Sequence, residues 1–571
     1  MMTRFRPIRS LAAVAAAAAL IAGCTTLPTN TEPQAIRSFE PPVEQPTNLG
    51  PQPGREPDLL LRDFYSASAR PTQDYVAARS YLAPGTADRW DPRQSTLVVD
   101  RIDLITQAGS TAERRAFDVR ASVIGRINTG GSYVPENGTY EATITMERND
   151  EDEWRITSLP SGIVLERTEL RNQYQPHRVF FLDPSDTVLV GDRRWIHSDH
   201  QGLDTALISL LMQGPSQTLA PAVNNPVPAD ATFAGVTDGI YNFTGFTGVD
   251  PDARLRFAAQ LVWTLALANI PEPYAVQMDG APVAPGFGEL TSDDFAEYNP
   301  TVSATSNVPL FALTDGIVHR VGSNTVEPLE GDLGSIGDLT SVDISQEGAA
   351  AAVRRQGDEF ALLAGTVDGP MEEALTAETI SRPTFELDPD SQWVVIDGRT
   401  VVRVVYSGAT DEFSRSDVDI SALEGLSGDI SVLRLHRTGT RVAMIIEGRV
   451  FTGVVTRSGP IERRIDNVVE LAPQLAGTAL SLDWQPDGSI IVGTSTPETP
   501  VWRVEQDGSA VTSLPGGNVT APVVAVAASP STVFITDARA VLQLPTDGSD
   551  TVFWREVAGL QGVRSAPIVA N

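Results

Sequence analysis

The feature that most restricts the fold is a sub-motif recurring through the C-terminal half: an alternating strand, a turn, then a run of aliphatic residues. It reads Val342-Asp343-Ile344-Ser345-Gln346-Glu347-Gly348, then Phe385 to Ser391, Leu433 to Gly439, Leu482 to Gly488 and, in weaker form, Val526 to Ser531. Its turn positions 348, 391, 439, 488 and 531 lie 43, 48, 49 and 43 residues apart. A period in the forties, with about four short strands in each, is the spacing of β-propeller blades. Two β-sandwiches would need no constant period. Five repeats are visible, and Pro309 to Val321 reads as outer strands that complete a sixth blade. Residues 301–571 are therefore expected to form an all-β propeller of about five to six blades.

Two α+β domains are expected ahead of it, so the fold class is multidomain. In 58–170, Asp58 can cap a helix carrying Leu60, Leu61, Phe64 and Tyr65. A second helix after Asp74 holds Val76, Tyr81 and Leu82 until Pro84-Gly85 stops it. The period then changes to two: Phe117, Val119, Ala121 and Val123 share one strand face, and Tyr140, Ala142, Ile144 and Met146 share another. In 171–300 a strand at Val179 to Leu182 precedes a leucine-rich helix from Asp204 to Met212, which ends at Gly214-Pro215. Asp250-Pro251 is a strong helix start, and the strand Tyr274 to Met278 closes at Asp279-Gly280.

The chain begins with an export signal. Arg4, Arg6 and Arg9 precede an apolar run from Leu11 to Ala22, too short to span a bilayer, which ends in Ile21-Ala22-Gly23-Cys24. That is the pattern of a bacterial lipobox. Residues 1–23 would be removed by cleavage between Gly23 and Cys24, and Cys24 would carry an S-diacylglycerol and an N-acyl group. Cys24 is the single cysteine of the chain, so it has no disulfide partner within it. Two or three acyl chains hold a protein at a membrane where one would not. In 24–57, Thr25 to Pro57 holds eight prolines in 33 residues, a composition for an extended tether.

With 42 basic and 73 acidic residues the charge is −31, and loss of the three signal arginines makes it −34. Nucleic acid is a poor partner for such a chain. Anionic headgroups are too, so the lipid, not a basic patch, supplies membrane affinity. Reactive constellations are scarce. His197 and His200 are three apart but sit in a polar stretch beside Asp199, read as a solvated loop, and His177, His319 and His436 stand alone. No nucleophile elbow, P-loop, zinc or calcium motif occurs, so no cofactor and no metal are expected. The acidic run Asn149 to Glu153 reads as a hairpin tip. A two-carboxylate glycosidase stays open on sequence alone.

Several segments in order are similar to the LpqB family of actinobacterial lipoproteins: Ile21 to Cys24, Asp74 to Leu82 with Trp90, Leu210 to Ser216, Gln260 to Leu265, and Met278-Asp279-Gly280. The resemblance implies an N-terminal α+β (NTF2-like) domain, a GerMN module and a C-terminal propeller. It also implies a membrane-anchored, extracytoplasmic, non-enzymatic accessory of a two-component system. Such a protein would bind the extracytoplasmic domain of an MtrB-type sensor kinase and tune MtrA phosphorylation, cell-wall homeostasis and division. A wall-polymer-binding envelope protein is the alternative, and a propeller glycoside hydrolase a third. Cys24 is the one functional residue the resemblance carries over.

Overall fold

The computed structural model describes residues 50–199, 202–301, 308–546 and 553–570, and from Gly50 onward the chain forms one compact unit. Cys24, His200 and the segment before Gly50 lie outside the described residues. Helix α1 (Pro57–Ser68) turns Leu60, Leu61, Phe64 and Tyr65 inward. Pro57 takes the first helical position, where its missing N–H is no loss. Asp58, expected as the cap, therefore lies inside the first turn, where its charge still suits the helix dipole. Within residues 50–57, expected as the end of the tether, Gly54 N–H donates to Glu153 at 3.2 Å and Arg55 pairs with Asp63 at 2.8 Å, while Gln52, Pro53, Gly54 and Glu56 stay exposed. The helix expected after Asp74 is split into α2 (Val76–Arg79) and α3 (Pro84–Arg89). Pro84 starts a helix rather than stopping one, again from the first position.

Strands β1 (Thr96–Thr106), β2 (Arg114–Ile127), β3 (Tyr133–Arg148), β4 (Trp154–Ser158) and β5 (Ile163–Glu166) form a sheet of order β4-β3-β2-β1-β5, antiparallel except for β1 with β5. The period of two is observed: Phe117, Val119, Ala121 and Val123 are buried against α1 together with Ile144, Met146, Trp154 and Ile156. Asn149 to Glu153 is the β3–β4 hairpin tip, with the Asn149 Oδ1 accepting from Glu153 N–H at 2.8 Å.

Helix α4 (Arg167–Gln173) leads into the hairpin β6 (Tyr174–Leu182) and β7 (Leu189–His197). Then come α5 (Leu203–Gln213), β8 (Thr232–Thr237), β9 (Ile240–Thr244), α6 (Pro251–Ala266), β10 (Tyr274–Met278), β11 (Ala281–Pro282) and β12 (Glu289–Leu290). Asp250 caps α6, accepting from Asp252 N–H at 2.9 Å and Ala253 N–H at 3.3 Å. Two buried polar residues of α6 hold the hairpin: Gln260 Nε2 donates to the Phe180 carbonyl at 3.2 Å, and the Thr264 hydroxyl accepts from Phe180 N–H at 3.1 Å. Gly131, at φ +80°, lies where this hairpin meets the first domain. A Cβ there would stand 2.5 Å from the Trp195 carbonyl oxygen, and its own carbonyl accepts from Trp195 N–H at 2.7 Å.

The C-terminal part holds six four-stranded sheets among the described residues, completing the expected propeller with the larger blade number. Blade I consists of Leu310–Thr314, Ile317–Val321 and Val326–Pro328, with the C-terminal strand Ala566–Val569 added at its inner edge. The inner strands of blades II to VI are Leu339–Ile344, Thr384–Phe385, Ile430–Leu435, Ala479–Trp484 and Ala525–Ala528. Each sequence repeat is thus one inner strand and the turn that follows it. Each inner strand touches the next, and Ala566–Val569 touches those of both blade II and blade VI, so the ring closes through the two ends of the domain.

Closure by the last strand makes it indispensable. A chain ending at Ser565 loses the buried Ile568 and Val569, about 2–3 kcal/mol for each side chain, and bares a strand edge at the channel. We predict aggregation, or a midpoint of thermal unfolding at least several degrees lower. Calorimetry with size-exclusion chromatography checks this.

Candidate functional site at the mouth of the propeller

At one mouth of the ring the residue after each inner strand opens a tight turn: Ser345, Glu386, His436 and Gln485 in blades II to V. The turns are closed by bonds such as Gly488 N–H to the Gln485 carbonyl at 2.9 Å and Gly439 N–H to the His436 carbonyl at 2.7 Å. Leu189 of β7 and the segment Glu297 to Pro300 lie over this mouth and enclose a cavity of about 300 Å³ with the four turn residues. Cavities that hold small ligands begin near this size.

The floor of the cavity is a charged network inside the ring. Arg434, 2% exposed, donates through Nη2 to Asp343 at 3.0 Å, through Nε to Asp483 at 3.3 Å and through Nη1 to the Pro383 carbonyl at 2.8 Å. Arg382 adds a second bond to Asp343 at 3.1 Å and one to the Val342 carbonyl at 3.2 Å. Asp483 also accepts from Trp484 N–H at 3.0 Å and Ala528 N–H at 3.4 Å. Burial alone would make Arg434 less basic, but the charges of Asp343 and Asp483 outweigh it and hold the guanidinium above its ordinary value. Arg382 is lowered, by burial and by Arg434, against the pull of Asp343.

A second network joins blades III and IV. Glu386 accepts from Trp393 Nε1 at 2.8 Å, Arg463 Nε at 3.0 Å and Arg403 Nε at 3.2 Å. Burial would raise its carboxyl, but the Arg463 hydrogen bond, the charges of Arg463 and Arg403, and Trp393 prevail, leaving it below the usual carboxylate range. His436 is held strongly neutral, first by burial and then by Arg441, Arg437 and Arg178. Its Nδ1 lies 2.9 Å from the Thr438 hydroxyl and its ring meets Trp484 edge-on at 5.2 Å.

Asp343 and Asp483 are the buried carboxylate pair that the hydrolase reading required. Both, however, are bound to one guanidinium, so neither presents itself as a free acid or nucleophile, and Glu386 is likewise engaged by two arginines. His197 ends β7 and is 5% exposed, packed edge-on against Tyr174 at 5.3 Å. This corrects the solvated-loop expectation; the strand runs on to the histidine because its register with β6 pairs it with Tyr174. His177 lies on β6 and His319 in blade I, well apart in the fold. Among the described residues no group of three or more His, Cys, Asp or Glu side chains could hold a metal ion. Nor is any helix long and apolar enough to cross a membrane.

The middle domain is fixed to the ring from the side. Arg193 of β7 pairs with Glu505 at 2.5 Å and Asp507 at 3.3 Å, Trp195 Nε1 donates to Asp507 at 3.1 Å, and Arg441 Nη2 donates to the Gly191 carbonyl at 2.8 Å. Val454 of blade IV joins the middle domain's own core.

Three family models match in chain order: "Lipoprotein LpqB, N-terminal domain" over 50–171, "Sporulation and spore germination" over 178–284, and "Lipoprotein LpqB beta-propeller domain" over 316–570. The protein named Lipoprotein LpqB of Corynebacterium diphtheriae is 44% identical, with 97% of each chain covered. This chain belongs to the LpqB lipoprotein family. The family members of Rhodococcus jostii and Mycobacterium tuberculosis are 38% and 31% identical, covering 98% and 96% of this chain and 97% of each relative. Among solved structures, TolB from Acinetobacter baumannii aligns at TM-score 0.34 and 13% identity over 46% of this chain and 66% of its own. The matched descriptions name a lipoprotein and domain types, not a reaction.

The residues that sequence reasoning missed carry a visible signal. Asp343, Arg434 and Asp483 are charged residues set between apolar neighbours in the inner strands, a placement that turn geometry does not explain.

Glu386 gives a pH prediction. Its carboxyl is lowered on folding, so its contribution is complete above the unfolded value of about 4.3 and is lost as pH falls through the folded value. The wild-type chain should lose stability on acidification below about pH 4.3. Glu386→Gln should unfold about 3–5 kcal/mol more easily at pH 7, because two buried arginines lose their partner, and should show a shallower acid limb. Urea titrations at a series of pH values test both.

Proposed function

We propose that this family member is a non-enzymatic lipoprotein held at the extracytoplasmic face of the cell membrane through Cys24, and an accessory of an MtrB-type sensor kinase. In this reading it binds the kinase's extracytoplasmic domain and thereby tunes MtrA phosphorylation, cell-wall homeostasis and division. The observation that supports it best is the state of the mouth: its buried carboxylates Asp343, Glu386 and Asp483 are engaged by arginines, and ion pairs fix the middle domain to the side of the ring. That arrangement suits a rigid binding body better than a reaction centre. The lipobox at Ile21 to Cys24 and the proline-rich segment after it supply the anchor and the reach.

A tether that confines two partners to one surface raises effective concentration and can add about 10²- to 10⁴-fold in avidity without new contacts. Cys24→Ser should therefore abolish acyl labelling of the N-terminal peptide and leave uncleaved or mislocalised precursor, with kinase-dependent reporter output reduced. Signalling should follow the length of the segment before Gly50 more than its sequence. A Cys24→Ser chain recovered in the membrane fraction with unchanged acyl label would overturn the anchor. Failure to crosslink to the kinase in detergent-solubilised envelope would overturn the accessory role. The mouth cavity of about 300 Å³ favours a second reading, recognition of a wall polymer; retention of the chain on purified wall without the kinase would support it instead.

A further inference from the structure

Beside the mouth cavity, between hairpin β6–β7 and the turns of blades IV and V, lies a second hollow of about 210 Å³. Four arginines line it, Arg178 from β6, Arg437 and Arg441 from the blade IV turn, and Arg503 from blade V, against one carboxylate, Asp487. Among the described lining residues the balance is four positive charges and one negative, or +3, in a chain whose overall charge is −31.

The one carboxylate is already taken. Asp487 is bound by Arg503 and by the Ser489 hydroxyl at 2.6 Å. Burial would raise its carboxyl, but Ser489, Arg503 and Arg178 hold it below the ordinary range. The other three arginines use neutral oxygens as acceptors: Arg178 donates to Asp487 O, Arg437 to Pro300 O, and Arg441 to Gly191 O and, through Nε and Nη2 at 2.7 Å, to the Gln506 side-chain oxygen. Carbonyl acceptors satisfy N–H groups without neutralising charge. Among the described residues none of the three half-buried arginines has an ion-pair partner within 4.0 Å, whereas the buried arginines of the propeller, Arg403, Arg434 and Arg463, all do.

Burial, with a smaller repulsion from Arg178, lowers both arginines of blade IV. Arg441 is pushed down to about 10, first by burial, with Arg178 lowering it further against the pull of Asp192. Arg437 is lowered by burial and by Arg178. His436, at the inner end, is held neutral and adds no charge. Arg441 lies deep in the protein yet keeps accessible surface, as a side chain facing hollow space does. Three guanidinium groups around one hollow, paired only with neutral oxygens and with donors to spare on Arg178 and Arg437, match the size, charge and multiple acceptors of a phosphate group.

We propose that this hollow is a binding site for a phosphate group, held by Arg178, Arg437 and Arg441 between the middle domain and the propeller. The site is independent of the kinase reading, because it requires only the charges and the cavity. The ligand joins both domains: Arg178 comes from one and Arg437 and Arg441 from the other. Its binding should therefore tighten their docking as well as neutralise the cluster.

The test uses the full chain in detergent micelles, with inorganic phosphate as probe and chloride at matched ionic strength as control. Equilibrium dialysis should show saturable binding, and the unfolding midpoint should rise with phosphate concentration, as for any ligand selective for the folded state. Arg437→Gln and Arg441→Gln should each weaken binding at least about tenfold, in line with loss of a charge-assisted contact. Arg399→Gln, on an exposed ion pair with Asp429, should leave it unchanged. A second measurement leaves docking undisturbed by using the unmodified sequence: phosphate should protect Arg178, Arg437 and Arg441 from phenylglyoxal, mapped by mass spectrometry, while Arg399 still reacts. Glycerophosphoglycerol, the deacylated form of a lipid headgroup, is the companion probe. Tighter binding of it assigns a phosphodiester source, and tighter binding of inorganic phosphate a soluble monoester. No binding of either probe above chloride, wild-type affinity in both Gln variants, or no protection of the three arginines would overturn the site.

Discussion

The ring depends on Arg434. One guanidinium, 2% exposed, bonds Asp343 of blade II, the carbonyl of Pro383 ahead of blade III and Asp483 of blade V, and sits itself on blade IV. Asp483 extends the connection to Ala528 of blade VI. Blade-to-blade apolar packing fixes each sheet against its neighbours, but it is not directional. A guanidinium fork between two carboxylates is directional, and it spans the channel where no backbone ladder can. Such a group is expensive to bury and very expensive to orphan, so its geometry fixes which inner strands face one another.

Much of this architecture was legible in the sequence. Turn spacing exposed the propeller because a blade is one structural unit repeated, and alternation exposed β2 and β3 because each buries a single face. Asp250-Pro251 started α6 where capping and a preset φ coincide. The misses share a cause. Pro84 and Asp58 were judged from local propensity, yet at a helix's first position proline is favoured, so the same residue can stop or start a helix depending on what packs around it. Residues 50–57 look like linker by composition, yet Arg55 pairs with Asp63 on the following helix and Gly54 N–H reaches Glu153, 99 residues away, contacts that composition does not encode. The site was the least legible part. Arg434 needs its carboxylates from strands 91 and 49 residues away, and pairings over such separations exist only once the ring is closed.

The mouth and its neighbouring hollow show how one acidic chain divides its charge. Its sequence carries a large excess of carboxylates, while a group of half-buried arginines gathers where the middle domain meets blades IV and V. Some of these arginines clamp the two bodies, as Arg193 does with Glu505 and Asp507; others leave charge facing a hollow.

The central claim is that the Arg434 network acts as a unit across the channel, and a double-mutant cycle measures that directly. Arg434→Met, Asp483→Asn and the pair would be compared with the wild-type chain by urea unfolding at pH 7. The account predicts a coupling energy of about 1–3 kcal/mol, with the second substitution costing much less once the first is made. Destabilisations that add to within about 0.5 kcal/mol would mean that the two groups act independently and that the ring is held by apolar packing alone.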